Sequence, residues 1–369
     1  MPSGGTGTDR TDFEIYRAHF PNREARFWGS RSAIDPRITV PELARRVGLS
    51  RTAVQARLLH WKRIGYWHGY EIWPNPRLFG AGLATVDVPL RTPAQVDRLL
   101  EELALVEGAV SARCLLDEDG RTVRVFLVDD GPDARVRRLR LLQRVAETPM
   151  ELRAQPYWIP ETIDELSNLD WRIVGYYRAY PDASLTGAAH GLGITAKTLS
   201  IRRNRLLDTN AIWWMLDSSS TLLPVTAMYL TLGDASQRSV IKAELEDRLP
   251  GWLSCTDDGF GMRPSLDQVT VAGLAFTTSP ADVDVLVRRI LSLRGVVGVR
   301  SRVPHVFRAY PDWFDRQIAQ RVARISFRRT GRAVRTAPSV RSAPSMRRLS
   351  GSDEGATTRA ELRASTPMR

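Results

Sequence analysis

The spacing of hydrophobic residues changes twice between Ile38 and Gly80, and each change marks an element. Leu43, Ala44 and Val47 fall on one face of a short helix. Val54, Leu58, Trp61 and Ile64 follow at i, i+4, i+7 and i+10, the single stripe of a longer one. The boundary residues agree. Thr39 can cap the first helix, Pro41 fits its first turn, and Glu42 is placed to complete a capping box. Gly48 supplies a tight turn, Ser50 caps the second helix, and Gly65 ends it as a left-handed residue. Tyr66, Trp67, Tyr70, Ile72 and Trp73 then form a β-prone run interrupted by His68 and Gly69, as a wing hairpin would be. The elements predicted are a helix-turn-helix with a β-wing, joined by the Pro-bounded stretch Trp73–Gly80 to a different kind of domain.

The polar positions of the longer helix give it a chemistry. Arg51, Thr52, Gln55, Lys62 and Arg63 lie opposite the apolar stripe, with Arg57 toward the flank. Side chains near a helix N-terminus can reach base edges, and cations further along can hold phosphates. Arg51, Thr52 and Gln55 are therefore the candidate base-reading set, with the capping Ser50 beside them among the DNA-binding residues, and Arg57, Lys62 and Arg63 are the candidate phosphate contacts. The plainer reading is a two-helix hairpin with a solvated basic face. The capped turn, the Gly65 stop and the aromatic run together favour DNA.

The stretch LARRVGLSRTAVQARLLHWKRIGYWHGYEI resembles the leucine-responsive/asparagine-synthase regulator (Lrp/AsnC) family of transcription regulators. The positions that carry the resemblance are Leu43, Ala44, Gly48, Leu49, Ser50, Val54, Arg57, Leu58, Gly65, Gly69 and Tyr70, with Trp61 in place of the usual Leu. The resemblance implies a winged helix-turn-helix domain followed by a ferredoxin-like βαββαβ domain for oligomerisation and ligand sensing. It implies double-stranded DNA as partner, a homo-oligomer, and an amino-acid-like effector whose existence the residues do not establish. One departure is the insert from Asn22 to Arg37, rich in Arg and containing Phe27, Trp28 and Gly29, where the family has a short loop.

The remaining chain alternates strand-like and helix-like patterns. Asp12–Phe20 reads as the first helix of the helix-turn-helix domain. From Leu83 the order is β-α-β-β-α-β, with a turn at Asp117-Glu118-Asp119-Gly120. The plan then repeats. Ser50 and Thr195 stand 145 residues apart, and at that offset Leu199 falls on Val54, Arg202 on Arg57, Leu206 on Trp61, and Asn210 on Gly65. Leu169–Tyr177 matches the first helix, and a second β-α-β-β-α-β order runs to a last strand at Gly295–Arg302. The fold class expected is α+β, with two winged helix-turn-helix domains alternating with two ferredoxin-like domains. The divisions are a disordered N-terminus at 1–10, winged domains at 11–76 and 161–222, ferredoxin-like domains at 77–160 and 223–326, the last with a terminal helix from Asp312 to Phe327, and a disordered basic tail at 327–369. In the second helix-turn-helix, Arg203 stands at the apolar position of Leu58, while Lys197, Arg202 and Arg205 remain as candidate DNA contacts. It is either a second DNA contact or a degenerate copy kept for packing.

Composition narrows the partners. With 43% hydrophobic and 25% charged residues the chain is globular in type, and a formal net charge of +12 favours polyanions. No run of about 18 apolar residues suits a membrane span, so a cytoplasmic location without membrane partners is expected. Cys114 and Cys255 are too few and too distant for a disulfide framework or zinc site and read as buried small apolar residues. His19, His60, His68, His190 and His305 form no metal-ligand spacing, and no nucleophile elbow or phosphate loop is present. No cofactor, metal or catalytic activity is expected. Two other readings stay open: a tetrapyrrole-binding enzyme resembling sirohaem decarboxylases on the same fold, and an interaction protein whose helix-turn-helices do not bind DNA.

Overall fold

The computed structural model describes residues 9–20, 26–28, 31–117, 120–147, 151–163, 165–218, 224–249, 251–255 and 269–335. The turn residues Glu118 and Asp119, the first eight residues and the tail beyond 335 lie outside these, as does the expectation of disorder at both ends. Asp9 and Arg10 belong to an ordered element instead. Helix α1 (Arg10–Ala18) begins at a capping box in which Asp9 and Asp12 exchange side-chain-to-backbone hydrogen bonds of 2.9 Å. The insert adds structure that its composition did not suggest. Strands β1 (Arg26–Trp28) and β2 (Arg31–Ile34) form an antiparallel pair within it.

Helices α2 (Val40–Val47) and α3 (Arg51–Arg63) follow where the periodicity places them, separated by Gly48 at φ 69°. Strand β3 (Trp67–Pro74) corrects the expected wing hairpin. It is one continuous strand with an irregularity at Gly69, φ 141°, and its partner lies far along the chain. A bulge explains the His68–Gly69 break that reads as a turn in sequence.

Strand β4 (Gly82–Leu90), helix α4 (Pro93–Glu102), strands β5 (Ala109–Asp117) and β6 (Gly120–Asp129), helix α5 (Pro132–Val145) and strand β7 (Ala154–Tyr157) come next. The second half supplies α6 (Asn168–Ala179), α7 (Leu185–Leu192), α8 (Ala196–Asp208) and β8 (Ile212–Ser218). Then come β9 (Val225–Leu232), α9 (Arg238–Arg248), β10 (Trp252–Ser254), β11 (Val269–Phe276), α10 (Pro280–Leu291), β12 (Val296–Ala309) and α11 (Asp312–Arg335). The last strand runs seven residues past the expected Arg302, and α11 runs beyond the expected Phe327.

The strands form two sheets, ordered β1-β2-β8-β3 and β10-β11-β9-β12-β5-β6-β4-β7. The long β12 explains its own length: it pairs with β9 over Val296–Arg302 and then with β5 over Val303–Ala309, with a register shift between Pro304 and Phe307. In the smaller sheet β8 lies between β2 and β3, so the insert of the first half is hydrogen-bonded to the second half.

Four apolar clusters hold these layers. Val86, Leu99, Leu100, Val125 and Leu142 join α4 and α5 to one sheet face, and Leu230, Ile241, Leu245, Trp252 and Ile290 join α9 and α10 to another. Trp73, Trp213, Met215, Phe126, Val128 and Phe314 lie between the four-stranded sheet, the larger sheet and α11. The fourth cluster draws α1, α3, α6, α8 and β8 into one core through Phe13, Val54, Trp61, Tyr177, Leu199, Leu206 and Trp214. Among the described residues, those up to Ser326 form one compact unit and Phe327–Arg335 belong to a second. Cys114 and Cys255 are both buried and in no disulfide, as expected of small apolar residues.

Candidate nucleic-acid interface

The orientation of α3 follows from local chemistry. Ser50 Oγ accepts a hydrogen bond from the Ala53 N–H at 3.1 Å, satisfying one of the helix's orphan donors. Gly65, at φ 73°, turns the chain left-handed after the last helical residue. Val54, Leu58 and Trp61 are buried. With that stripe held inward, Arg51, Thr52, Gln55, Lys62 and Arg63 are exposed, together with the capping Ser50. Among the described residues Arg51, Thr52 and Gln55 make no ion pair or side-chain hydrogen bond. The Lys62 ammonium sits 4.6 Å from the centre of the Trp67 ring, and Arg63 Nη2 is 3.1 Å from His60 Nδ1.

Arg57 departs from its expected role at a phosphate. Its Nη1 donates to Asp9 Oδ1 and Asp12 Oδ1, both at 2.9 Å, and the Trp61 indole donates to the same Asp12 oxygen. Asp12 is buried, and leaving its charge unpaired would be costly, so the guanidinium is held against α1. Burial tends to raise the Asp9 carboxyl, yet the Asp12 backbone N–H and the Arg57 guanidinium hold it below its ordinary value.

The capping box expected at Thr39 is half formed. Thr39 accepts from the Glu42 N–H at 3.4 Å, but the Glu42 carboxylate turns to Arg45 at 2.7 Å and Arg46 at 2.8 Å. Those hydrogen bonds draw its pKa from 4.5 to about 2. One carboxylate thus holds both arginines of α2 and offsets one of their two charges, and Arg45 stays exposed beside the outward cations Arg51, Lys62 and Arg63.

Helix α8 repeats the inward clamp more loosely. Arg202 Nη1 lies 3.4 Å from Asp170 Oδ2, and Arg205 Nη1 lies 3.8 Å from the same oxygen. Arg202 is therefore drawn inward like Arg57, whereas Lys197 and Arg205 are exposed. Asp208, at the position of Arg63, pairs with Arg37 of the insert at 2.8 Å.

Three structural contributors escape the sequence reading because they pack or pair with residues remote in the chain. Arg37 ties the insert to α8. Arg178 of α6 donates to Glu71 at 2.6 Å, to the Ile72 carbonyl at 3.0 Å, and to Asp315 at 2.6 Å, joining β3 to α11. His19 is buried behind Trp61, with Nδ1 2.8 Å from the Ile15 carbonyl. Loss of hydration lowers its pKa to about 4. Two spaces able to admit a small molecule lie beside α11. A cleft of about 600 Å³ is lined by His68, Glu71, Arg178, Asp217, Arg308 and Asp315, and one of about 620 Å³ adjoins it beside Leu105, Trp313 and Arg316. Among the described residues no helix is long and apolar enough to cross a membrane.

Comparison with known proteins bears on the helix-turn-helix and on the shape of the chain. No curated protein sequence matches. Among solved structures, the siroheme decarboxylase NirDL superposes with a TM-score of 0.46 at 10% identity, covering 86% of this chain and 100% of the other. The leucine response regulatory protein LrpA of Mycobacterium tuberculosis superposes with a TM-score of 0.28 at 22% identity, covering 43% of this chain and 98% of its own. An anthrone oxidase-like protein gives 0.30 at 13% identity, over 66% and 98%. At these scores none of the three bears on activity. The capped, turned and basic-faced segment that carries Arg51, Thr52 and Gln55 is matched by a domain description over its own length: residues 33–60 are an AsnC-type helix-turn-helix domain.

Proposed function

We propose that this chain is a sequence-specific, DNA-binding transcription regulator of Lrp/AsnC type that reads the major groove with α3 and acts by binding rather than by catalysis. In this reading two helix-turn-helix modules alternate with two ferredoxin-like modules in one chain. Its support is the strand orders β5-β6-β4-β7 and β10-β11-β9-β12, each placing the four strands of one β-α-β-β-α-β unit in the sequence 2-3-1-4. Assembly into a homo-oligomer through these α/β sheets, and a cytoplasmic location, belong to the same proposal.

The observation that carries it is the exposure of Arg51, Thr52 and Gln55 at the N-terminal end of a capped helix within an AsnC-type domain. Arginine suits a guanine edge and glutamine an adenine edge, each in a two-bonded contact. Lys62 and Arg63 stand at the other end of the helix, where cations neutralise phosphates.

The test is a binding titration against duplexes enriched from a random pool, with Arg51→Ala and Gln55→Ala beside the wild type. Each change should weaken the preferred duplex by about 1–3 kcal/mol and relax preference at one base pair, while leaving weak nonspecific binding in place. The wild-type affinity should fall with salt, with a slope of about −0.9 per phosphate neutralised. Folded variants that keep the wild-type preference and affinity would remove α3 from the interface.

A further inference from the structure

The two helix-turn-helix halves share a backbone plan but not a reading surface. Helices α2 and α7, helices α3 and α8, and the starts of β3 and β8 stand 145 residues apart. Gly48 and Gly193 are both left-handed, at φ 69° and 67°, and so are Gly65 and Asn210, at 73° and 53°. The β3–β8 pairing respects the same shift. Tyr70 corresponds to Met215 and Glu71 to Leu216, and the register contains both Tyr70–Leu216 and Glu71–Met215. An antiparallel pair that maps onto itself in this way has a local two-fold axis through its middle, and α3, packed on β3, and α8, packed on β8, occupy equivalent places about it.

Side chains break that symmetry. Where α3 has Arg51, α8 has Ala196; where it has Gln55, α8 has Ser200; where it has Arg63, α8 has Asp208. The outward apolar residue of α8 is Ile201, 60% exposed. Asp208 is acidic where a phosphate would approach, and Arg202 and Arg205 lean toward Asp170. The large sheet departs from the two-fold as well. Strand β12 reaches across to β5, whereas β7 and β10 each have a single neighbour among the described strands.

Two recognition helices related by a dyad read a palindrome only if their side chains agree. Arginine and glutamine prefer guanine and adenine edges, while alanine and isoleucine offer apolar contact suited to the thymine methyl group. We infer that one chain alone engages a duplex with two unequal half-sites: an information-rich half read by Arg51, Thr52 and Gln55, and a weakly specified, thymine-favouring half against Ala196, Lys197 and Ile201. This rests on the DNA-binding reading above and adds to it the form of the site.

The experiment selects duplexes from a random pool with the full chain and sequences those recovered in complexes holding one chain per duplex. The expected motif is asymmetric. Arg51→Ala should erase information from its strong half, and Ile201→Gln should change only its weak half. The double change Ala196→Arg with Ser200→Gln should turn the motif toward an inverted repeat and tighten binding to that repeat about tenfold or more. A palindrome recovered by the unaltered chain, or a duplex site occupied only when two chains share it, would overturn the inference while leaving DNA binding and oligomerisation through the sheets intact. Recovery of no preferred sequence would instead overturn the underlying reading.

Discussion

Two arginines six residues apart on α3 do different jobs, and their surroundings say which. Arg51 is exposed, whereas Arg57 bridges Asp9 and the buried Asp12. Arg57→Ala should therefore cost about 1–3 kcal/mol of folding stability through the stranded Asp12 carboxylate, measured by urea unfolding, with base preference unchanged. Arg51→Ala should leave stability within about 0.5 kcal/mol, since exposed residues without partners contribute little. The apolar period of α3 made the exposure of Arg51, Thr52 and Gln55 legible from sequence. The capture of Arg57 was not legible, because Asp9 and Asp12 lie more than 40 residues upstream across an insert. His19 is a second case. Its folded pKa of about 4 is below the ordinary 6.5, so its neutral form stabilises the fold fully above pH 6.5. That contribution drains as pH falls toward 4 and amounts to roughly 3 kcal/mol. The urea midpoint should fall between pH 6.5 and 5, and His19→Gln should flatten that slope.

Element boundaries were legible wherever a cap or a left-handed residue stood. Gly65 shows why. A Cβ there would meet only His68 Cε1 at 3.9 Å, so space is available and the penalty is conformational. Gly65→Ala should cost about 1 kcal/mol, and Gly65→Asn less, because asparagine tolerates the left-handed region that Asn210 itself occupies. Strand partners were the illegible part. Alternation marks a strand but not its neighbour, so β3 read as half of a local hairpin although its partner is β8. β12 likewise read as ending at Arg302. The strand continues because it changes partner there, and its ladder is irregular between Pro304 and Phe307.

For the whole molecule, the shared core has a thermodynamic signature. Phe13, Trp61, Tyr177, Leu199 and Trp214 come from both helix-turn-helix halves, and β12 belongs to both halves of the large sheet. The core around α1, α3, α6 and α8 therefore needs both halves. Urea unfolding of the chain followed by tryptophan fluorescence and by far-ultraviolet circular dichroism should therefore give one coincident transition. Two resolved transitions would mean that the halves are energetically separate. The net charge of +12 was visible in composition, but its local effect was not. Pairs such as Arg45–Glu42, Arg124–Asp87 and Arg178–Asp315 leave that surplus unchanged but fix where individual guanidinium groups are held.

The insertion of β8 between β2 and β3 has a consequence for how the chain is made. Ile34 faces Trp214, about 180 residues later, so at 5–20 residues per second the ribosome releases β2 and the tryptophan-bearing β3 on the order of ten to forty seconds before the strand that covers them. During that interval Trp67, Ile72 and Trp73 sit on a nascent chain with an open strand edge on either side of a missing neighbour. Slowing translation across residues 75–211 would lengthen this exposure and lower the soluble yield, while a holding chaperone supplied during synthesis would restore it.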